Sequence, residues 1–114
     1  MINQSILTSI KLLLGIPQAC TDFDNIVIMH INSVFMILNQ IGVGPTQAFT
    51  IDSDTQIWMQ FVKEKDQLEA VKSYMYLKVK LLFDPPLNSN VTKAMEQQIN
   101  ELEWRLNVNS DQNN

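Results

Sequence analysis

The chain has 114 residues with a formal charge of −4 and a sequence pI near 4.7; 46% of its residues are apolar and 18% are charged. This length gives room for one domain, and the acidic balance argues against a protein that grips phosphate backbones, which requires a basic surface. A single cysteine, Cys20, excludes an intramolecular disulfide and a cysteine-based metal site. With no signal peptide and no run of about 18 apolar residues, we expect a soluble protein without a membrane span.

The first predicted helix covers residues 3–14. Its apolar side chains recur on one face at a step of about 100° per residue, which places Lys11 on the far side. Gly15 and then Pro17 are typical signals for the end of a helix. The predicted apolar face consists of Ile6, Ile10, Leu13 and Leu14.

The second predicted helix, residues 24–41, is the most apolar part of the chain. Asp22 and Asp24 can cap it and place negative charge at its N-terminus, where the helix dipole favours it. Because it is apolar on most sides, we expect it to be the central helix of the fold. Its seam residues alternate spacings of four and three: Val27, Ile31, Val34, Leu38 and Ile41.

Residues 45–54 are predicted to form an ordered loop. Ser53 and Gln56 have the spacing of a capping box, which predicts a short helix containing Trp58 and Phe61.

The third predicted helix covers residues 65–83 and ends before Pro85. It carries two apolar stripes well over 100° apart. One stripe can face the domain's own core, so the second, formed by Tyr74, Leu77 and Leu81, is expected to find a different partner. The first stripe consists of Leu68, Val71, Met75, Val79 and Leu82.

The fourth predicted helix begins after Asn90, a good N-cap, and continues to about Leu106. Trp104 lies nearly opposite its apolar face. Residues 1–108 are therefore predicted to form a single helical domain, followed by a polar tail, residues 109–114, that we expect to be disordered. The apolar face consists of Val91, Met95, Ile99, Leu102 and Leu106.

No catalytic, metal-binding or cofactor-binding constellation emerges from the sequence. His30 is the single histidine, with no second ligand of its kind to share a metal. Asp52 and Asp54 start like a calcium loop, but the required glycine is missing and Lys63 stands at the twelfth position. We therefore expect a protein that is not an enzyme and that needs no cofactor.

Two polar-face features stand out. Lys65, Lys72 and Lys80 cluster around Tyr76 on the third helix, either as a solvated face or as a contact for an acidic partner or passing DNA. Trp104 is typical of an interface anchor, although a fourth helix buried on two sides within the monomer would also take it out of water. Together with the second stripe, Trp104 is a candidate interface for another subunit or for a partner protein.

Three blocks, 37–45, 71–86 and 101–108, carry a family resemblance. In this order they resemble the small head–tail connector, or neck adaptor, proteins of tailed bacteriophages and related prophages. The likeness extends from about residue 2 to residue 108.

The resemblance implies an all-α bundle that assembles as a ring, usually twelve-fold, beneath the portal protein. Such a ring extends the DNA channel, lets DNA pass without sequence-specific binding, and presents a docking surface for the next neck or tail-completion protein. It also implies a virion component that is made in the bacterial host cytoplasm. The alternative is a small phage or prophage regulatory or adaptor protein that binds one protein partner through an exposed apolar helix face.

Overall fold

The computed structural model describes the backbone of residues 4–113 and the side chains of residues 4–108. Within that range the chain forms four α-helices and one 3₁₀ helix, with no regular β-strand. The predicted all-α fold is thus confirmed, whereas its assembly into a ring stays a prediction. The helices are α1 (Ile6–Leu13), α2 (Asp24–Gln40), α3 (Lys65–Phe83) and α4 (Ser89–Asn113), and the 3₁₀ helix spans Trp58–Gln60.

The central helix is α3, which packs against each of the other three. The prediction that the second helix is central is wrong. α2 buries one side against the bundle, while Ile26, Met29 and Met36 on its opposite side are exposed. α2 therefore carries more apolar side chains than the rest of the described chain covers.

The predicted seam of α2 and the first stripe of α3 lie mostly in the core, together with buried side chains of α1, α4 and the connecting segments. Burial of each such side chain stabilises the fold by roughly 1.5–3 kcal/mol relative to its exposure. Two predicted members lie at the edge of the bundle instead, since Ile41 is half-buried and Leu82 is exposed. The fully or almost fully buried members are Val27, Ile31, Val34, Leu38, Leu68, Val71, Met75 and Val79.

The bounds of α3 agree with the prediction, and those of α4 do not. α4 begins at Ser89, where the Asn88 side chain accepts a hydrogen bond of 2.8 Å from the Asn90 N–H. It continues to Asn113, beyond the predicted end, because no glycine or proline follows Pro86 to stop it. The backbone of the predicted polar tail is therefore helical as far as residue 113, and residue 114 lies outside the described residues.

Lys11 is buried, which overturns its predicted place on the far side of α1. Its side chain is 3% exposed, because the loop after α1 folds back over it. The Nζ donates to the carbonyls of Gln18 at 3.2 Å and Cys20 at 2.6 Å and forms an ion pair of 2.8 Å with Asp24. Leu13, predicted to face the core, is consequently half exposed. The predicted start of this helix at residue 3 lies outside the described residues.

The entry to the 3₁₀ helix is capped differently from the prediction. Gln56 Oε1 does accept a hydrogen bond of 3.3 Å from the Ser53 N–H, but the helix begins only at Trp58. There Gln60 Oε1 accepts a 2.8 Å hydrogen bond from the Ile57 N–H. The Ser53–Gln56 pair thus stabilises the preceding turn.

Candidate interaction surfaces

The second apolar stripe of α3 has a partner within the chain. α4 packs along it, so that Tyr74 is fully buried, Leu77 is 8% exposed and Leu81 is half-buried. The expectation that this stripe finds its partner outside the domain's own core is wrong. The apolar face of α4 must also leave water, and the two faces bury each other. As a contact between subunits, the stripe is now limited to the accessible edge of Leu81.

A partly buried hydrogen bond joins α3 to α4 at this stripe. The Tyr74 hydroxyl donates to Glu103 Oε2 at 2.7 Å. Burial, together with this hydrogen bond and the negative charge of Glu103, raises the pKa of the Tyr74 phenol well above its usual value near 10. The folded protein thus holds the phenol in its neutral, donating form.

Tyr74→Phe tests this contact through its pH dependence. At pH 7 we expect the free energy of unfolding to fall by about 1 kcal/mol, because half-buried Glu103 loses a donor. Above about pH 10 the unfolded wild-type chain releases the Tyr74 proton while the folded one keeps it, so wild-type stability falls by up to about 1.4 kcal/mol per pH unit. Denaturant titrations from pH 7 to 11 should therefore show the gap between the two proteins closing.

The matched control for this experiment is Tyr76→Phe, since Tyr76 is the half-exposed tyrosine one half-turn away. It should track the wild type within about 0.5 kcal/mol at every pH. Parallel stability curves for wild type and Tyr74→Phe up to pH 11 would contradict the assignment of Tyr74 as the alkaline-sensitive group.

Trp104 lies on the outer side of α4 and is 68% exposed. The interpretation that α4 is buried on two sides within the monomer is therefore wrong. Met95, Ile99 and Leu106 face the bundle, and the indole points away from them. An aromatic side chain of this size in water is typical of an anchor for a protein partner.

The three predicted lysines do not form one uniform basic face. Lys65 is exposed and Lys72 is half-buried, with Glu69 between them in the sequence. Lys80 forms an ion pair of 2.8 Å with Asp84, one turn further along at the end of α3. Lys72 is thus the member that lies beside Tyr76 at a concave surface.

An open groove between α2 and α4, with α3 as its floor, was not predicted. It encloses about 700 Å³ and has an apolar lining that includes Ile37, Leu81 and Ile99. His30 and Glu96 also line it. One sequence signal points to this side of the molecule: residues 25–51 contain no aspartate, glutamate, lysine or arginine.

Among the described residues, no group of three or more histidine, cysteine, aspartate or glutamate side chains is placed to hold a metal ion. Nor is any helix in that part of the chain long and apolar enough to cross a membrane. What the structure does present is a set of exposed apolar side chains on a helical bundle.

These features define a small helical bundle that leaves several large apolar side chains exposed. A family model described as phage connector protein matches residues 6–113, nearly the whole chain, and the chain belongs to this family. No curated protein and no solved structure shows a match. The predicted resemblance to phage head–tail connectors is confirmed by the family match.

Family membership establishes the protein's general role. It is a bacteriophage connector, a structural component of the virion that associates with other phage structural proteins. Such connectors are typically not enzymes.

Proposed function

We propose that the protein forms a ring beneath the portal, extends the DNA channel, and presents the docking surface for the next neck or tail component. The single observation that supports this most is the family match over residues 6–113. The expected ring is dodecameric, and its partners are the portal protein and a downstream tail-completion protein.

Exposed apolar side chains support self-assembly. Trp104 and Leu12 are 68% and 60% exposed, and they lie on two different helices. A ring requires a heterologous contact between two unlike faces of each copy, and a chain with several separate apolar surfaces can supply both.

The net charge supports a conduit through which DNA slides. At −4 per copy, a ring carries a strong excess of negative charge, which disfavours tight phosphate binding along the channel. Binding to duplex DNA that is both tight and salt-sensitive would argue against this role.

The test is the assembly state of the purified protein, measured by light scattering after size exclusion and by negative-stain microscopy, alone and with the portal. Twelve copies of the 13.1 kDa chain would form a particle of about 157 kDa with a central hole. A protein that stays monomeric and does not co-sediment with the portal would overturn the proposal.

Particles made by a phage that lacks the protein distinguish a connector from an adaptor. Full heads without tails, or heads that leak DNA, are expected for a connector. Normal particles would instead favour a regulatory or adaptor protein that acts through one exposed apolar face.

A further inference from the structure

A hollow lies on the side of the bundle where α1 meets α3. It encloses about 410 Å³, and its apolar walls include Leu12, Leu13 and Tyr76. Leu12 and Leu13, at the end of α1, are 60% and 50% exposed. Lys72 and Glu69 stand at its polar edge. A hollow of this size, about fourteen times a water's share of liquid volume, has room for one aromatic side chain.

The hollow and Trp104 lie on different flanks of α3. At 100° per residue, Lys72 and Tyr76 point about 150° away from the stripe that α4 covers. Trp104 extends outward from that α4 layer, since it is opposite the buried face of the helix. Two unlike surfaces are what a head-to-tail contact needs, whereas a two-fold dimer would need one self-complementary patch.

Charged side chains of both signs stand beside each surface. Lys72 and Glu69 lie at the edge of the hollow. Glu101, Glu103 and Arg105 lie close to Trp104 in the sequence of α4. A contact between the two surfaces can therefore pair Lys72 with Glu101 and Glu69 with Arg105.

We propose that Trp104 of one copy inserts into the hollow formed by Leu12, Leu13 and Tyr76 of the next copy. The leucines supply apolar walls for the indole. The Lys72 ammonium contacts the face of the indole, because a cation binds the face of tryptophan more strongly than that of tyrosine or phenylalanine. Because the donor and acceptor surfaces differ, the contact repeats from copy to copy. This inference rests on the proposed ring and identifies the contact that holds it together.

The first test compares Trp104 variants with a matched control. We expect Trp104→Ala to weaken each contact by about 30-fold or more, so that rings dissociate to monomers, while thermal unfolding of the monomer stays nearly unchanged. Trp104→Phe should keep part of the assembly. Met36→Ala, which truncates an apolar side chain on α2 that is 59% exposed, should leave the rings intact. If the Trp104→Ala protein still forms rings, the proposal is wrong. This holds even if those rings no longer bind the portal.

The second test locates the contact by chemical cross-linking in a Cys20→Ser background, which removes the native thiol. Gln4→Cys marks the hollow, and Asn100→Cys marks the exposed face of α4 one turn before Trp104. With a short bis-maleimide, a mixture of the two single variants should give covalent dimers, and a chain carrying both cysteines should give a ladder of multimers.

The outcomes separate this inference from the proposed function. If the Cys20→Ser protein assembles but the mixture gives no cross-link, or each single variant cross-links to itself, the ring stands and this contact is wrong. If the protein does not assemble even with the portal, the proposed function itself fails.

Discussion

Replacing Lys11 with methionine should lower the free energy of unfolding by about 3 kcal/mol and the melting temperature by about 12 °C. The methionine keeps the apolar stem of the side chain and removes only the charged donor. Asp24 then loses its partner, and the carbonyls of Gln18 and Cys20 lose their donor. The value is at the lower end for a broken buried ion pair, because Asp24 remains a quarter exposed. Urea denaturation followed by circular dichroism measures it.

The matched control is Lys93→Met, because Lys93 is exposed on α4 and forms no ion pair among the described residues. Its effect should stay within about 0.5 kcal/mol. A double-mutant cycle with Asp24→Asn should give a coupling energy of about 1–3 kcal/mol between the two groups. Equal, small effects of both lysine replacements would show that the junction between α1 and α2 does not depend on Lys11.

Replacing Gly44 with alanine should cost about 3 kcal/mol of stability. Gly44 has φ of +88°, and a Cβ there would lie 2.6 Å from Phe61 Cζ. The ring of Phe61 has little room to move, since its centroid is 4.6 Å from that of Phe35 and 5.5 Å from that of Phe49. Two costs therefore add: the left-handed backbone conformation and the overpacking of an aromatic cluster.

Gly15→Ala is the matched control for this prediction. Its φ of +84° imposes the same backbone cost, but a Cβ there meets nothing within 4 Å. We expect it to lose only about 1 kcal/mol, so the difference between the two variants measures the clash with Phe61. If both variants lose the same stability in thermal denaturation, the Phe61 ring can move aside without destabilising the protein.

The helices were largely predictable because their determinants are local. The bounds of α3 follow from its apolar period and from Pro85, which drives the preceding residue out of the helical region. The seam of α2 likewise follows from its spacing of fours and threes. The end of α4 was missed because a polar composition was taken as a sign of disorder, although nothing in the sequence stops the helix.

The candidate interfaces were predictable only in part. The helix period places Trp104 opposite the apolar face of α4, but the sequence left open whether that second side is buried within the monomer. The burial of Tyr74 against α4 was not predicted. A second apolar stripe shows that some partner is needed, but it does not show whether that partner is another helix of the same chain. Leu12 and Leu13 were missed as an exposed pair because Leu13 fits the apolar face of α1.

By itself, the sequence determined the all-helical class, the positions of the four helices and the connector family, since each depends on patterns within short stretches of chain. Only the tertiary structure decided which apolar faces pair. α3 took the central place, α4 covered Tyr74, and a folded-back loop surrounded Lys11 with oxygen atoms. The physical reason is that apolar burial is non-directional: periodicity states that a face must leave water, and three-dimensional packing selects what covers it.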